Sequence, residues 1–234
     1  MKIKCMFFSV FFLAGSLAFS AQKIESLSLQ AEGVDRLEIN CGAGFLKVRG
    51  VESLGSIEVK GEINIQGIDG KKSEEFIKGN IEFTLERKGS RAVLISRVKD
   101  RPLFSLRDTW IDLTVDVPLG INLDIEDGSG SIDIEKIRGS LTVEDGSGEI
   151  QVRDIQGDLE IDDGSGEIDI RNVRGDVRID DGSGSIEISG IEGNVTVRDG
   201  SGSIDIERVE KDLILKGTGS GGLHFRNIRG RVIK

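Results

Sequence analysis

Five times in succession the chain returns to the same four letters. Asp127, Asp145, Asp163, Asp181 and Asp199 each open an Asp-Gly-Ser-Gly, eighteen residues apart. A unit reads D-G-S-G-x-I-x-I-x-x-I-x-G-x-L-x-V-x. Its sixth position holds Ile132, Ile150, Ile168, Ile186 and Ile204, and its eighth holds Ile134, Val152, Ile170, Ile188 and Ile206. The eleventh, fifteenth and seventeenth positions are aliphatic in every unit as well. Most positions between them are polar. Alternation over short β-branched runs means strands with one buried face. Two such runs cannot close a core by themselves. They can if each unit is one coil, stacked on the last so that like residues lie over like. The repeat therefore predicts an all-β, single-stranded β-solenoid (β-helix) of about 18 residues per coil. Coils would sit about 4.8 Å apart, and each would be thin, filled by its own aliphatic columns.

The template also appears earlier. In "LEINCGAGFLKVRGV" (37–51), Leu37 and Ile39 take the last two buried positions and Cys41-Gly42-Ala43-Gly44 replaces Asp-Gly-Ser-Gly. Leu46, Val48 and Val51 continue the buried set, so Cys41 stands where later coils have Asp. Between 52 and 117 the register loosens, although "SIEVKGEINI", "NIEFTLERK", "RAVLISRV" and "TWIDLTVDV" are strand-like. Phe76, Phe83, Phe104 and Trp110 fall here, as expected of an irregular N-terminal capping region with lateral elaboration. "KKSEEF" (71–76) reads as a solvated loop or a helical turn. At the other end Phe225 replaces an Ile and Lys234 stands where an aliphatic belongs. Arg226, Arg229, Arg231 and Lys234 fit a sheet edge blocked by charge, or a surface that meets an acidic partner.

The first twenty residues follow other rules. "MKIK" is basic, "CMFFSVFFLAGSLAF" is apolar, and Ala18-Phe19-Ser20 offers small residues where a signal peptidase reads. The division expected is a signal peptide at 1–20, an N-terminal β region with the first coil and an insert at 21–117, and the regular solenoid with a terminal capping coil at 118–234. The location expected is periplasmic or secreted, with no transmembrane segment in the mature chain. Cys5 lies within the expected signal peptide, whose removal leaves Cys41 without a disulfide partner in the mature chain. Charged residues make up 31% and the formal net charge is -10. Such a chain repels nucleic-acid phosphates and anionic lipid.

A glycine-rich loop with a carboxylate can hold calcium, cradle phosphate or seat a nucleophile. Calcium β-rolls repeat G-G-x-G-x-D-x-U-x every nine residues; here Ile132 stands where the ligand Asp belongs. Six residues after Gly128 comes Ile134, not the Glu of an EF-hand. No G-x-x-x-x-G-K-[ST] or G-x-S-x-G occurs around these turns. The lone His224 has no evident Ser–Asp partnership. Asp162 and Asp163 imitate a glycosidase pair, but adjacent residues on a turn suit that role badly and read better as a solvated face. Residues 111–224 contain no aromatic to serve as a sugar platform. One metal reading survives. Stacking lines up Asp127, Asp145, Asp163, Asp181 and Asp199, and each neighbouring pair would repel by roughly 1–3.5 kcal/mol. A divalent cation would relieve this. So would backbone N–H groups two residues on, as in an Asx turn, at roughly 1.5–3 kcal/mol per bond. The Asx turn is the expectation, and no catalytic, cofactor-binding or metal-ligating residue is assigned.

With these columns laid out, the chain resembles the "putative adhesin" or "toastrack" domains of bacterial envelope proteins. The resemblance rests on "VDRLEINCGAGFLKVRG" (34–50), on "WIDLTVDVPLGINLDIEDGSGSIDI" (110–134) and on the glycine-turn coils. It departs in lacking an attached transmembrane helix or cell-wall sorting tail. It implies an extracytoplasmic binding, adhesion or scaffold module, not an enzyme, whose partner is an envelope protein or glycan. Alternatives are an envelope-stress or assembly component that self-associates by coil stacking, and a polysaccharide-active β-helix enzyme.

Overall fold

The structure, a computed structural model, describes residues 20–66, 70–99 and 109–234. The expected signal peptide, apart from Ser20, and Phe104 lie outside the described residues. The N-terminal part runs β1 (Ser20–Gln30), β2 (Arg36–Cys41), β3 (Leu46–Val51), β4 (Ser56–Gln66), α1 (Gly70–Asn80), β5 (Ile81–Lys88), β6 (Arg91–Val98) and β7 (Thr109–Pro118). Six coils follow. They are β8 (Asn122–Asp127) with β9 (Ile132–Ile137), β10 (Leu141–Asp145) with β11 (Gly148–Ile155), and β12 (Leu159–Asp163) with β13 (Gly166–Val173). Next come β14 (Val177–Asp181) with β15 (Gly184–Ile191), β16 (Val195–Asp199) with β17 (Gly202–Val209), and β18 (Leu213–Thr218) with β19 (Leu223–Ile228). A short β20 (Val232–Ile233) closes the order.

The strands form two ten-stranded sheets, β1-β4-β7-β3-β9-β11-β13-β15-β17-β19 and β5-β6-β2-β8-β10-β12-β14-β16-β18-β20. From β8 on, each coil gives one strand to each sheet and pairs in parallel with its neighbours. The period of the sequence fixes the register: Ile132, Ile150, Ile168, Ile186 and Ile204 lie side by side. Each aliphatic position of the five units is buried. A side chain of this kind contributes roughly 1.5–3 kcal/mol of hydrophobic stabilisation when fully buried, against the entropy of ordering its coil. The β-solenoid of eighteen-residue coils expected from the repeat is the fold observed.

Coil order and chain order differ at the N-terminal end. Residues 36–51 form a coil as expected, and it pairs directly with β8 and β9. Its other side is covered by a coil the repeat does not announce, made by β6 and β7. The chain leaves β3, lays β4 antiparallel outside β7, crosses through α1 and lays β5 antiparallel outside β6. It then builds the β6–β7 coil inward and passes over the first coil to β8. The insert thus extends both sheets in line, rather than as a lateral elaboration. Antiparallel β1 on β4 completes the cap.

"KKSEEF" belongs to the eleven-residue helix α1, not to a loop. Ile77 turns into the core, Phe76 packs against it, and Asn80 Nδ2 closes the last turn on the Phe76 carbonyl at 2.9 Å. Phe83 fills the cap core over Gly61, where a Cβ would come within 2.8 Å of the ring. Val51 is only half-buried and leaves the buried set assigned to it; the inward place beside it is taken by Gly50. The terminal arginines are exposed and paired. Arg226, Arg229 and Arg231 reach back to Glu207, Glu210 and Asp212 of the preceding coil at 2.7, 2.5 and 2.6 Å, and Lys234 lies over the Phe225 ring.

Candidate functional site

Each Asp-Gly-Ser-Gly forms the corner where a coil passes from one sheet to the other. The Ser165 amide donates to Asp163 Oδ1 at 3.2 Å and the Ser183 amide to Asp181 Oδ1 at 3.0 Å. These are the Asx contacts expected from the sequence. Backbone bonds then tie corner to corner, as from Gly148 N to the Ser165 carbonyl at 3.0 Å. The last glycine is obligatory for two reasons. Gly148 has φ +146°, and a Cβ there would stand 1.6 Å from the Gly130 carbonyl oxygen.

The carboxylates themselves sit elsewhere than expected. Asp127, Asp145, Asp163, Asp181 and Asp199 are only 2–8% exposed. They are the last inward positions of their strands, so the alternation that buries Leu159 and Ile161 buries Asp163 too. One oxygen each of Asp127, Asp163 and Asp181 has no hydrogen-bond partner, and Asp145 and Asp199 are held only weakly, by the Ser147 and Ser201 amides. Burial pushes Asp127, Asp163 and Asp181 up to about 6, and shifts Asp145 and Asp199 the same way. Cys41 continues the column in the first coil. Desolvation first, then the charge of Asp127, holds its thiol neutral.

The acidic column that does face solvent is the neighbouring one, Glu126, Glu144, Asp162 and Asp180, which pair in register. Asp162 and Asp163 therefore point to opposite sides of one strand and cannot work as a glycosidase pair. Asn40 caps this outer column at Glu126, 2.6 Å away, and Arg198 stands 3.7 Å from Asp180. On the other sheet, Lys47 bonds Asp133 at 3.0 Å and Arg153 bridges Asp133 and Glu135. His224 is exposed and lies in register with Asp205. Among the described residues, no three His, Cys, Asp or Glu side chains converge as a metal ion would need. No described helix is long and apolar enough to cross a membrane.

Two arrangements escaped the sequence reading. The first is at the opposite corner of each coil. Asp158, Asp176 and Asn194 accept from the backbone N–H one coil on, with Asp176 N to Asp158 Oδ1 at 2.9 Å and Asn194 N to Asp176 Oδ1 at 2.8 Å. Its signal was present, as an Asp or Asn at the fourteenth position of four units. Beside it runs a shallow groove, two adjoining depressions of about 280 and 320 Å³ lined by Glu52, Lys136, Arg138, Asp154, Gln156, Asn172, Arg174 and Glu192, with Arg138 3.6 Å from Glu52 and Arg174 3.9 Å from Glu192. The second arrangement gathers around Asp112, which accepts from Trp110 Nε1 at 3.1 Å, Asn64 Nδ2 at 3.1 Å and the Phe45 amide at 2.9 Å. Only the antiparallel pairing of β4 with β7 brings Asn64 there, and no local motif encodes it.

No protein-family model matches the chain, and no curated protein does. Solved structures of similar build exist. One is a "putative cell adhesion protein" from Clostridium sporogenes, 16% identical with a TM-score of 0.39, covering 88% of this chain and 100% of that one. Another is a "putative adhesin" from Bacteroides fragilis, 14% identical with a TM-score of 0.38, covering 90% and 96%. A third, from Parabacteroides distasonis and of the same description, is 11% identical with a TM-score of 0.33, covering 90% and 97%.

Proposed function

We propose that this protein is a non-enzymatic, extracytoplasmic rod that binds a component of the cell envelope along its side. One observation carries the reading: polar side chains repeat in register from coil to coil on the outside, and at one corner they line a groove parallel to the rod. A groove whose chemistry recurs about every 4.8 Å suits an extended partner, a glycan strand or an unfolded peptide, better than a compact small molecule. Arg138 and Arg174, each loosely paired with a glutamate of the same groove, would meet its hydroxyl groups, and Gln156 and Asn172 its other hydrogen-bonding groups. Adhesion, named for the rods of similar build, is one form such binding takes. The extracytoplasmic location rests on the leader-like residues 1–20.

The test is capture of envelope glycans and envelope proteins on the immobilised protein, beside an Arg138→Glu, Arg174→Glu double variant. Both side chains are about half exposed or more, so the variant keeps the fold. Retention by the native protein and loss by the variant is the expected result. Equal capture by both removes the groove from the reading. No capture by either removes the binding function.

A further inference from the structure

The inner column is a harder problem for the fold than any surface feature. Asp127, Asp145, Asp163, Asp181 and Asp199 follow one another in register, at about the 4.8 Å coil spacing. Each is more than nine-tenths buried, and each leaves at least one oxygen without a partner. No basic side chain is buried with them: the other buried polar residues among those described are Ser56, Ser73 and Ser96. The first inward residues of the strands that follow each turn are aliphatic and buried, Ile132, Ile150, Ile168, Ile186 and Ile204. Asp180 stands outside beside Asp181 and adds repulsion. Five bare charges in such an interior are not self-consistent, because an isolated buried ion neutralises rather than pay its desolvation.

A proton resolves both difficulties at once. A protonated carboxyl offers an O–H to the stranded oxygen of the next coil, so a repelling pair becomes a charge-assisted hydrogen bond. The column also ends in groups that carry no charge. Beyond Asp127 comes the neutral thiol of Cys41, then Ser96 in register with it. Beyond Asp199 comes Thr218. We propose that the Asp127–Asp199 column is a proton-binding ladder, whose carboxyls hold shared protons in the folded protein and make the rod firmest in mild acid. The raised values agree in direction. Between the ordinary carboxyl value of 3.8 and about 6 the folded chain holds more protons than the unfolded one. Stability is fully present below that window and is lost as pH rises through it. Glu207 and Asp212, held below the usual carboxylate range by Arg226 and Arg231, pull the other way in stronger acid. The optimum therefore lies between the two effects.

The purified protein is melted from about pH 4.5 to about pH 8.5, and its Asp side-chain carboxyl carbons are followed by NMR over the same range. The expected result is a melting temperature that falls by several degrees as pH rises through about 6, with Asp127, Asp163 and Asp181 titrating near 6. An Asp145→Asn, Asp163→Asn, Asp181→Asn variant should lose most of that fall. Should it not fold, the single Asp163→Asn variant and the native carboxyl titration still decide the matter. A flat melting profile, or ordinary carboxyl midpoints, would overturn the ladder. Calcium or magnesium that restores the melting temperature at about pH 8, with chelator reversing it, would show a cation column instead and equally overturn it.

Discussion

Every coil turns twice: one corner carries Asp in all five units, and the other carries Asp158, Asp176 and Asp212, with Asn194 and Ser140 in the remaining two. At one corner Asp163 points inward and takes its hydrogen bond from Ser165, two residues on in the same coil. At the other Asp176 points outward and takes its bond from Asn194, one coil on. The outer arrangement ties neighbouring coils while its charge stays in water. The inner one shapes a tight turn and strands the remaining oxygen in the core. The backbones differ as well. The outer corner uses a left-handed residue that varies freely, Lys136, Asp154, Asn172, Gly190 and Arg208, with φ between 59° and 74°. The inner corner keeps glycine. Identical spacing thus hides opposite energetics, and the face on which a side chain lands decides which applies.

The largest effect should come from testing that glycine. Gly166 has φ +157° and would place a Cβ 1.6 Å from the Gly148 carbonyl oxygen. Both the conformation and the contact are backbone features with no means of yielding. Gly166→Ala should cost about 4 kcal/mol or more, read as loss of cooperative urea unfolding or of soluble protein. Gly190→Asn, at the other corner, should stay within about 1 kcal/mol, since Asn172 already occupies that site one coil away. Equal damage from both would mean that the corners do not differ as described.

Next in size is an extension of the inner column into the first coil. Cys41 occupies the Asp place there beside Asp127. Cys41→Asp should destabilise by about 1–3 kcal/mol near neutral pH, and by less below about pH 6, where the column is protonated. Cys41→Ser controls for size and should show no such pH dependence. Chemical denaturation at two pH values separates the cases. A Cys41→Asp penalty that grows on acidification would contradict the description of the column.

The repeat made the solenoid legible because period two and period eighteen coincide: each aliphatic column is both a strand face and a stack. The same alternation held the answer for Asp163, two residues after Ile161 on the buried face. Turn chemistry masked it, since Asp before Gly-Ser ordinarily faces water. The β6–β7 coil was not legible. Its strands match the template only in alternation, and it stacks outside a coil that precedes it in sequence. Nothing local in "RAVLISRV" says that it will lie beside Arg36–Cys41 rather than after it. The Asp112 cluster fails for the same reason, because it draws on β4, β7 and the turn before β3 together.

A smaller effect of opposite sign should separate the two carboxylates directly. Asp176→Ala removes bonds to the Asn194 amide at 2.8 Å and to its Nδ2 at 3.0 Å. The loss should be about 1 kcal/mol and nearly independent of pH. Asp163→Asn should instead stabilise at about pH 8, since it keeps the turn acceptor and removes a buried charge. Destabilisation by both, at every pH, would mean that the inner carboxylates serve the fold as ions.

The least effect belongs to the left-handed position. Arg208 holds φ 59° at the outer corner, where an ordinary L-residue is held at a cost of roughly 1–2 kcal/mol. Asn tolerates that conformation through local hydrogen bonding. Arg208→Asn gives up an ion pair to Glu207 at 2.8 Å, but that pair is more than half exposed on the arginine side and contributes little. The net change should be a gain of about 0.5 kcal/mol, visible as a rise of one or two degrees in melting temperature. The same exchange cannot be made at the inner corner, where Asn in place of Gly202 would meet the Gly184 carbonyl oxygen at 1.5 Å. A loss at Arg208 comparable to that at the inner glycines would show that the outer corner is as tightly constrained as the inner one, and that its varied residues are each selected for their own coil.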